Sequence, residues 1–235
     1  MFNYQFDWAI VTSGQYFEWI LSGVKVTIQL SLVSIALAFI LGLLIAVMRM
    51  SQNAPIRWFA VSYLEFFRNT PLLVQIFFWY FGSDKILPQA ARDWLYSVNF
   101  EFAAAAIALT IYTSAFIAED IRSGVRSIPK EQMEAARSSG FSYVRSMLYI
   151  ILPQAVRITI PPLINQFLNL AKNSSLAMTI GVAELTYQAR QVESYTFKGF
   201  EAFTAATLVY LVISLVITAL VTLYSKKVLS PIGMR

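Results

Sequence analysis

The sequence has no cysteine and no histidine. Without cysteine there are no disulfides and no thiol chemistry. With histidine missing too, the common transition-metal ligands are absent, which argues against a zinc or haem site and leaves no metal-ligating candidates. Charge is scarce: 13% of residues are charged, against about 25% in a typical soluble protein. No phosphate loop of the G-x-x-x-x-G-K-[S/T] kind occurs, so the chain has no ATP site of that kind and no implied cofactor. Glu119 and Asp120 are adjacent and point about 100° apart on a helix, so they do not form a catalytic carboxylate pair. An intramembrane enzyme has little to be built from. The first 25 residues lack the basic start and small-residue cleavage site of a signal peptide, which predicts that the first apolar span stays as an anchor.

What the chain has is apolar length. Of its 235 residues, 57% are hydrophobic, more than a soluble fold of this size can cover. Val26–Met48 runs 23 residues without a charge, Phe102–Ala118 runs 17 and Ala202–Ser225 runs 24. A membrane span needs roughly 20 mostly apolar residues. Phe59–Phe81 and Gln154–Leu176 are apolar with polar interruptions. The pattern predicts an all-α integral membrane protein with five transmembrane helices in a single domain, 1–235.

Basic residues orient it. With five spans and an outside amino terminus, the inner loops hold Arg49, Arg57, Arg122, Arg126, Lys130, Arg137, Arg145, Lys226, Lys227 and Arg235. The outer loops hold Lys85, Arg92, Arg190 and Lys198, so the bias is ten to four. Lys and Arg concentrate on the cytoplasmic side. This predicts an external segment at 1–22, a cytoplasmic loop at 122–152 and a cytoplasmic carboxyl terminus. The net charge of +5 then reads as a topology signal and not as a nucleic-acid patch. Trp8, Tyr16, Phe17 and Trp19 precede the first span, as an aromatic belt at the lipid interface would.

Within this frame the polar residues stand out. Pro71, after Arg68-Asn69-Thr70, predicts a kink in the second span. Gln75 lies two turns deeper than Arg68 and is a pathway candidate, while Arg68 is equally read as snorkelling to the inner interface. Ser127-Ile128-Pro129-Lys130-Glu131 predicts a helix start with Ser127 near the cap. Gly140 predicts the end of that helix, with a second helix near Ser142. Pro153, Pro161 and Pro162 predict an irregular fourth span. Lys172-Asn173-Ser174-Ser175 interrupts it with a cation, an amide and two hydroxyls. Unwound backbone at membrane depth is tolerated where it lines a cavity or is buried in protein. These residues either line a substrate path or tie the break to a neighbouring helix. Asn165, Gln166 and Asn169 give one face of the span a polar character, facing either protein or a path. Glu119 and Asp120 are expected to pair with Arg122 or Arg126 or to cap the loop, and Glu184, Arg190 and Glu193 to form a solvated outer face or meet an external partner.

Glu134-Ala135-Ala136, Gly140, Ile150 and Leu152-Pro153 stand at the spacing E-A-A-x3-G-x9-I-x-L-P. This resembles, position for position, the signature of permease subunits of bacterial ABC importers. Arg68-Asn69-Thr70-Pro71-Leu72-Leu73-Val74-Gln75 and Lys172-Asn173-Ser174-Ser175-Leu176 are similar to elements of the polar amino acid branch. Phe67-Arg68-Asn69, Asn169-Leu170-Ala171-Lys172-Asn173-Ser174 and Glu201-Ala202-Phe203-Thr204-Ala205 are nearest in wording to the glutamate/aspartate type. The resemblance implies the type I ABC importer permease fold, a coupling helix at Glu134, Ala135, Ala136 and Gly140 that docks on an ATP-binding partner, and a bacterial inner-membrane location. It implies a second permease subunit, identical or related, two ATPase subunits that bind the ATP, an external solute-binding protein and an amino acid cargo, with glutamate or aspartate favoured over glutamine or a basic amino acid. Gln75, Asn165, Asn169, Lys172, Asn173 and Ser174 are the candidate lining of the path. Ser123 and Glu131 stand where the branch usually has glycine, and Ser139 where it has leucine. The rival reading is an uncoupled channel, which has no use for a docking helix.

Overall fold

The computed structural model describes residues 4–229, the side chains at 84, 221 and 224–229 excepted. Arg235 and the side chains of Lys226 and Lys227, part of the inner basic set, lie outside that description. Eleven α-helices follow one another among the described residues: α1 (Ala9–Thr12), α2 (Gly14–Arg49), α3 (Ala54–Arg68), α4 (Leu72–Ile86), α5 (Gln89–Val98), α6 (Phe100–Arg126), α7 (Lys130–Ser138), α8 (Tyr143–Ser146), α9 (Leu152–Asn173), α10 (Leu185–Thr196) and α11 (Gly199–Leu229). A π-helical turn, Met147–Ile151, leads into α9, and a 3-10 segment, Ser174–Ile180, follows it. Every backbone polar group in a bilayer has to be satisfied within the protein, which a helix does inside its own segment and a closed barrel between its strands. Four helical stretches are long and apolar enough to cross: Gly14–Arg49, Phe100–Arg126, Tyr143–Ile180 and Gly199–Leu220. A fifth apolar helix, Leu72–Ser83, is shorter.

The second expected span is therefore two helices. Asn69 Nδ2 donates to the Glu65 carbonyl at 2.7 Å and Thr70 Oγ1 to the Phe66 carbonyl at 2.9 Å. These bonds satisfy the last turn of α3 from within. Pro71 then sits extended (φ −62°, ψ 133°) as the cap of α4. Proline cannot supply the missing donor, so the result is a break and not the expected kink. The first long helix also begins at Gly14, inside the expected external segment 1–22, and the outer stretch 82–100 contains helix α5.

The chain divides into two compact units. The first holds α1, α2 through Ala36, Pro71–Thr110 and Leu168–Thr218. Its core contains Val11, Ile20, Leu185, Ala189, Val192, Ala202 and Ala206. Gly23 permits a close approach here, since a Cβ on it would lie 2.8 Å from Leu185 Cα. Beside it, Leu185 N donates to Thr27 Oγ1 at 3.1 Å. The second unit holds Leu37–Thr70, Ile111–Phe167 and the end of α11 from Ala219. Its core contains Ile45, Ala46, Ala60, Leu64, Ala115 and Ala118. A Cβ on Gly42 would lie 2.7 Å from Ile117 Cγ2. Small residues at such contacts let helices pack in lipid, where no hydrophobic force drives them together.

Candidate functional site

In the second unit, α7 carries Glu134, Ala135 and Ala136. Its amino-terminal cap is Pro129, without a side-chain bond. Ser127, the expected cap, instead donates to the Gly124 carbonyl at 2.8 Å. The far end explains the fixed distance between Ala136 and Gly140. Gly140 N donates to the Arg137 carbonyl at 3.0 Å and Phe141 N to the Ala136 carbonyl at 3.1 Å, while Gly140 has φ +84°. This is the paired bond pattern of a left-handed helix stop, where glycine escapes the Cβ penalty. Ser142 caps α8 by accepting from Arg145 N at 3.3 Å, as expected. Gln154 Nε2 donates to Gln132 Oε1 at 2.9 Å, tying α7 to α9. Glu134, Ala135 and Gly140 are exposed and Ala136 is buried. A cavity of about 470 Å3 opens on this segment, lined by Glu131, Gln132, Ala135, Ala136, Phe141 and Ile150 among others. It is a partly apolar seat with Glu131 as the acid on its wall.

The polar candidates separate. Gln75 is 5% exposed on α4, which packs against the 3-10 segment. Asn165, in the second unit, and Asn169, in the first, are exposed on α9. Gln166 Nε2 donates to Asp120 Oδ2 at 2.8 Å, a bond within the second unit. Glu119 pairs with Arg122 through two bonds, as expected. The Arg68 guanidinium lies 5.4 Å from the Phe116 ring centroid. The expected break at Lys172–Ser175 is a change of pitch. The helix continues to Asn173 and then tightens into the 3-10 segment. Ser174 Oγ donates to the Ala171 carbonyl and Ser175 Oγ to the Lys172 carbonyl, both at 2.8 Å. Ser174 is fully buried, Asn173 half-buried and Lys172 exposed.

Lys172 opens on a cavity of about 300 Å3 in the first unit, shared with Ser175, Thr186, Phe203, Thr207 and Tyr210. Lys172 and Ser175, both of the motif Lys172–Ser175, are among its lining residues. Thr186, Thr207 and Tyr210 were not singled out for it; their spacing along two helices carries no local signal.

Glu184 departs most from expectation. It is fully buried and not part of a solvated face. Its carboxylate caps α10, accepting from Tyr187 N at 2.7 Å and Thr186 N at 3.0 Å. Tyr210 Oη donates to it at 2.7 Å. Burial pushes its pKa above the usual carboxylate range, and the bonds from Thr186, Tyr210 and Tyr187 work against that shift. A second buried acid, Glu201, accepts from Asp7 N at 2.8 Å and from the Tyr4 hydroxyl. That bond, first, with partial desolvation, pushes Tyr4 up to about 12. Together they pin the amino-terminal segment to the start of α11.

Comparison with known proteins places these features in a family. The profile of the binding-protein-dependent transport system inner membrane component matches residues 38–230. GlnM of Bacillus subtilis (strain 168), a probable glutamine ABC transporter permease protein, is 47% identical over 200 residues, 85% of this chain and 88% of that protein. GltJ of Escherichia coli (strain K12), a glutamate/aspartate import permease protein, is 34% identical over 221 residues, 92% of this chain and 89% of that one. The crystal structure of an amino acid ABC transporter with histidines superposes with a TM-score of 0.84 at 33% identity, covering 95% of this chain and 100% of that one. An inward-facing structure of the MetNI methionine transporter has a TM-score of 0.69 at 17% identity, a likeness of fold alone.

Proposed function

This chain belongs to the binding-protein-dependent transport inner membrane component family, as a permease subunit of an amino-acid ABC importer, and we propose that it carries glutamine past Lys172 across the bacterial inner membrane. The chain is not itself an enzyme. ATP is hydrolysed on partner subunits seated against α7, at Glu134, Ala135 and the turn at Gly140. Closure of those partners pushes the coupling segment, and the spans rock to open the path outward and then inward. An external binding protein delivers the cargo, and a second permease subunit completes the path.

The observation that carries the path is the Lys172 ammonium on a cavity of about 300 Å3. A lysine at membrane depth is costly without a counter-charge, and a passing carboxylate supplies one. Every amino acid has an α-carboxylate, so Lys172 does not by itself select an acidic side chain. The higher identity to the glutamine permease than to the glutamate/aspartate one, 47% against 34%, supports glutamine. The second reading, glutamate or aspartate, rests on the wording around Phe67, Asn169 and Glu201. Asn169, Asn173 and Gln75, in the same unit as Lys172, are the further candidates for the path, Asn165 is a candidate from the sequence alone, and Ser174 bonds back to the Ala171 carbonyl beside Lys172.

The test is uptake of labelled glutamine and glutamate into vesicles bearing the full importer with its binding protein. Uptake of glutamine is expected to require ATP. Lys172→Met is expected to abolish uptake while basal ATP hydrolysis and assembly persist. Normal uptake by that variant removes Lys172 from the path, and uptake of glutamate with neglect of glutamine reverses the choice of cargo.

A further inference from the structure

An apolar groove of about 390 Å3 lies within the second unit. Helix α6 is its floor, with Ile121 and Val125, and α2 and α9 are its walls, with Phe39, Leu43, Val156 and Ile160 among others. Glycine contacts set both walls on α6. Gly42 brings α2 against Ile117, and Gly124 brings α6 against Thr159 of α9, each closer than a Cβ allows. Thr159, the hydroxyl in the lining, gives its proton to the Ala155 carbonyl at 2.7 Å. The groove therefore offers a polar ligand no side-chain donor. Phe39, Leu43 and Val156 are 40%, 45% and 56% exposed, so the walls are open. A large exposed apolar patch marks an interaction site. Three features say what fills this one. The first is its face: Val156 and Asn165 are nine residues apart, about 900° at 100° per residue, and so lie on opposite faces of α9. The groove backs away from the polar face, and in a bilayer that side meets acyl chains. The second is its length. From Leu152 to Leu163 the α9 wall rises eleven residues, about 16 Å at 1.5 Å per residue, against roughly 15 Å for half of a hydrocarbon core. The third is charge. Arg126 follows Val125 and Arg157 follows Val156, and both are exposed. The ion pair among the described residues is Arg122 with Glu119, so neither arginine is neutralised there.

We infer that this groove holds one acyl chain of an anionic phospholipid of the cytoplasmic leaflet, with the lipid phosphate on Arg126 and Arg157. The inference rests on the reading that α7, between α6 and α9, meets the ATP-hydrolysing partners, which puts Val125 and Leu152 at the cytoplasmic end of the groove. Basic pockets between helices on that side attract anionic headgroups. An arginine lays its stem along an apolar wall and carries its guanidinium to the headgroup level. A soluble anion satisfies the arginines and leaves the groove empty. A neutral lipid fills the groove and leaves the arginines bare. An anionic phospholipid does both. Seated there, it bridges α2, α6 and α9, the last two being the helices that carry the coupling segment between them.

The experiment uses the purified permease–ATPase complex in detergent. Phosphatidylglycerol or phosphatidylcholine is titrated in, and retained lipid is counted by native mass spectrometry. The wild type is expected to hold one phosphatidylglycerol for each copy of this chain, at least about tenfold more tightly than phosphatidylcholine. Arg126→Gln and Arg157→Gln are each expected to weaken phosphatidylglycerol by about fivefold and to leave phosphatidylcholine unchanged. Leu43→Trp, which puts an indole into the groove from an exposed position, is expected to lose the retained lipid. Val156→Trp does the same from α9 if Leu43→Trp fails to assemble. Equal retention of the two lipids by the wild type, or none of either, overturns the site. Displacement of the lipid by millimolar inorganic phosphate reduces it to an anion seat and overturns the acyl chain. In native membranes, Val156→p-benzoylphenylalanine is expected to give a phospholipid adduct on irradiation. An adduct to the second permease subunit makes the groove a subunit interface and overturns the lipid. These readings need neither transport nor a known side of the membrane. Labelling of Ser138→Cys from outside the cell, with lipid retention as expected, overturns the leaflet and the reading of α7 together and leaves the groove with its lipid.

Discussion

At the scale of single residues, contact distances decide what chemistry each position permits. Gly124, in the last turns of α6, is an example whose reason the sequence conceals, because its neighbour comes from α9. A Cβ there would stand 2.0 Å from Thr159 Oγ1 and 3.3 Å from both Thr159 Cβ and the Ala155 carbonyl. Thr159 cannot swing away freely, since its hydroxyl donates to that same carbonyl at 2.7 Å. Gly124→Ala is expected to destabilise the complex by about 1–3 kcal/mol, the ordinary cost of overpacking, and Thr159→Ala in the same chain to recover part of it. Thermal unfolding of the purified complex reads both, and a Gly124→Ala variant as stable as wild type shows the helices to be further apart. Glu184 was misread for a related reason. An acid in an outer segment looks solvated. Its carboxylate is held by Thr186, Tyr187 and, from α11, Tyr210, and no local pattern announces that last partner. Glu184→Gln places an amide where the backbone N–H of Tyr187 and Thr186 both seek acceptors. A loss of about 1–3 kcal/mol is expected from the mismatched donor, measured by the same unfolding assay, with Glu184→Asp the milder change.

At the scale of elements, the coupling segment was legible because its sequence spacing is its geometry. Ala136 and Gly140 are four apart because the helix stop needs the carbonyl of one and the left-handed backbone of the other. The glycine has open space around it, with nothing within 4 Å of a built Cβ. The structure thus separates two roles that one glycine conflates, backbone conformation and room for a partner. Asn tolerates the left-handed region better than other residues with a side chain, and Asp is nearly isosteric with it but charged. Gly140→Asn is expected to keep most ATP-coupled uptake, and Gly140→Asp to lose it while the permease still assembles in the membrane. If Asn uncouples as fully as Asp, bulk and not charge is excluded by the partner. If Asp transports normally, the docking role of this turn fails. The second span was less legible. Asn69 and Thr70 read as polar interruptions of an apolar run, yet their side chains bond backward to close α3. A side chain that competes for its own helix's carbonyls ends the helix, and which way it bonds is not written in its residue type.

At the scale of the whole chain, length and charge make separate statements. Helix α2 has 36 residues and is about 54 Å long at 1.5 Å per residue, well beyond a hydrocarbon core of roughly 30 Å. Its uncharged part, Val26–Met48, begins one residue after Lys25 and ends one residue before Arg49, so the excess length lies before Val26. That is why the sequence located the apolar run and not the start of the helix. Length does not orient the helix; the ten-to-four excess of basic residues on the expected inner loops predicts an outside amino terminus, through retention of Lys and Arg on the cytoplasmic side. The chain has no cysteine, so a single introduced thiol reports its own side without background. Ser13, exposed just before α2, and Ser138, exposed at the end of α7, are placed to report opposite sides. In right-side-out vesicles a membrane-impermeant thiol reagent is expected to label Ser13→Cys and to spare Ser138→Cys until the membrane is permeabilised. The reverse pattern inverts the topology and takes the coupling segment away from the compartment that holds ATP. Labelling of both before permeabilisation puts an even number of crossings between them, which the three expected between Ser13 and Ser138 forbid.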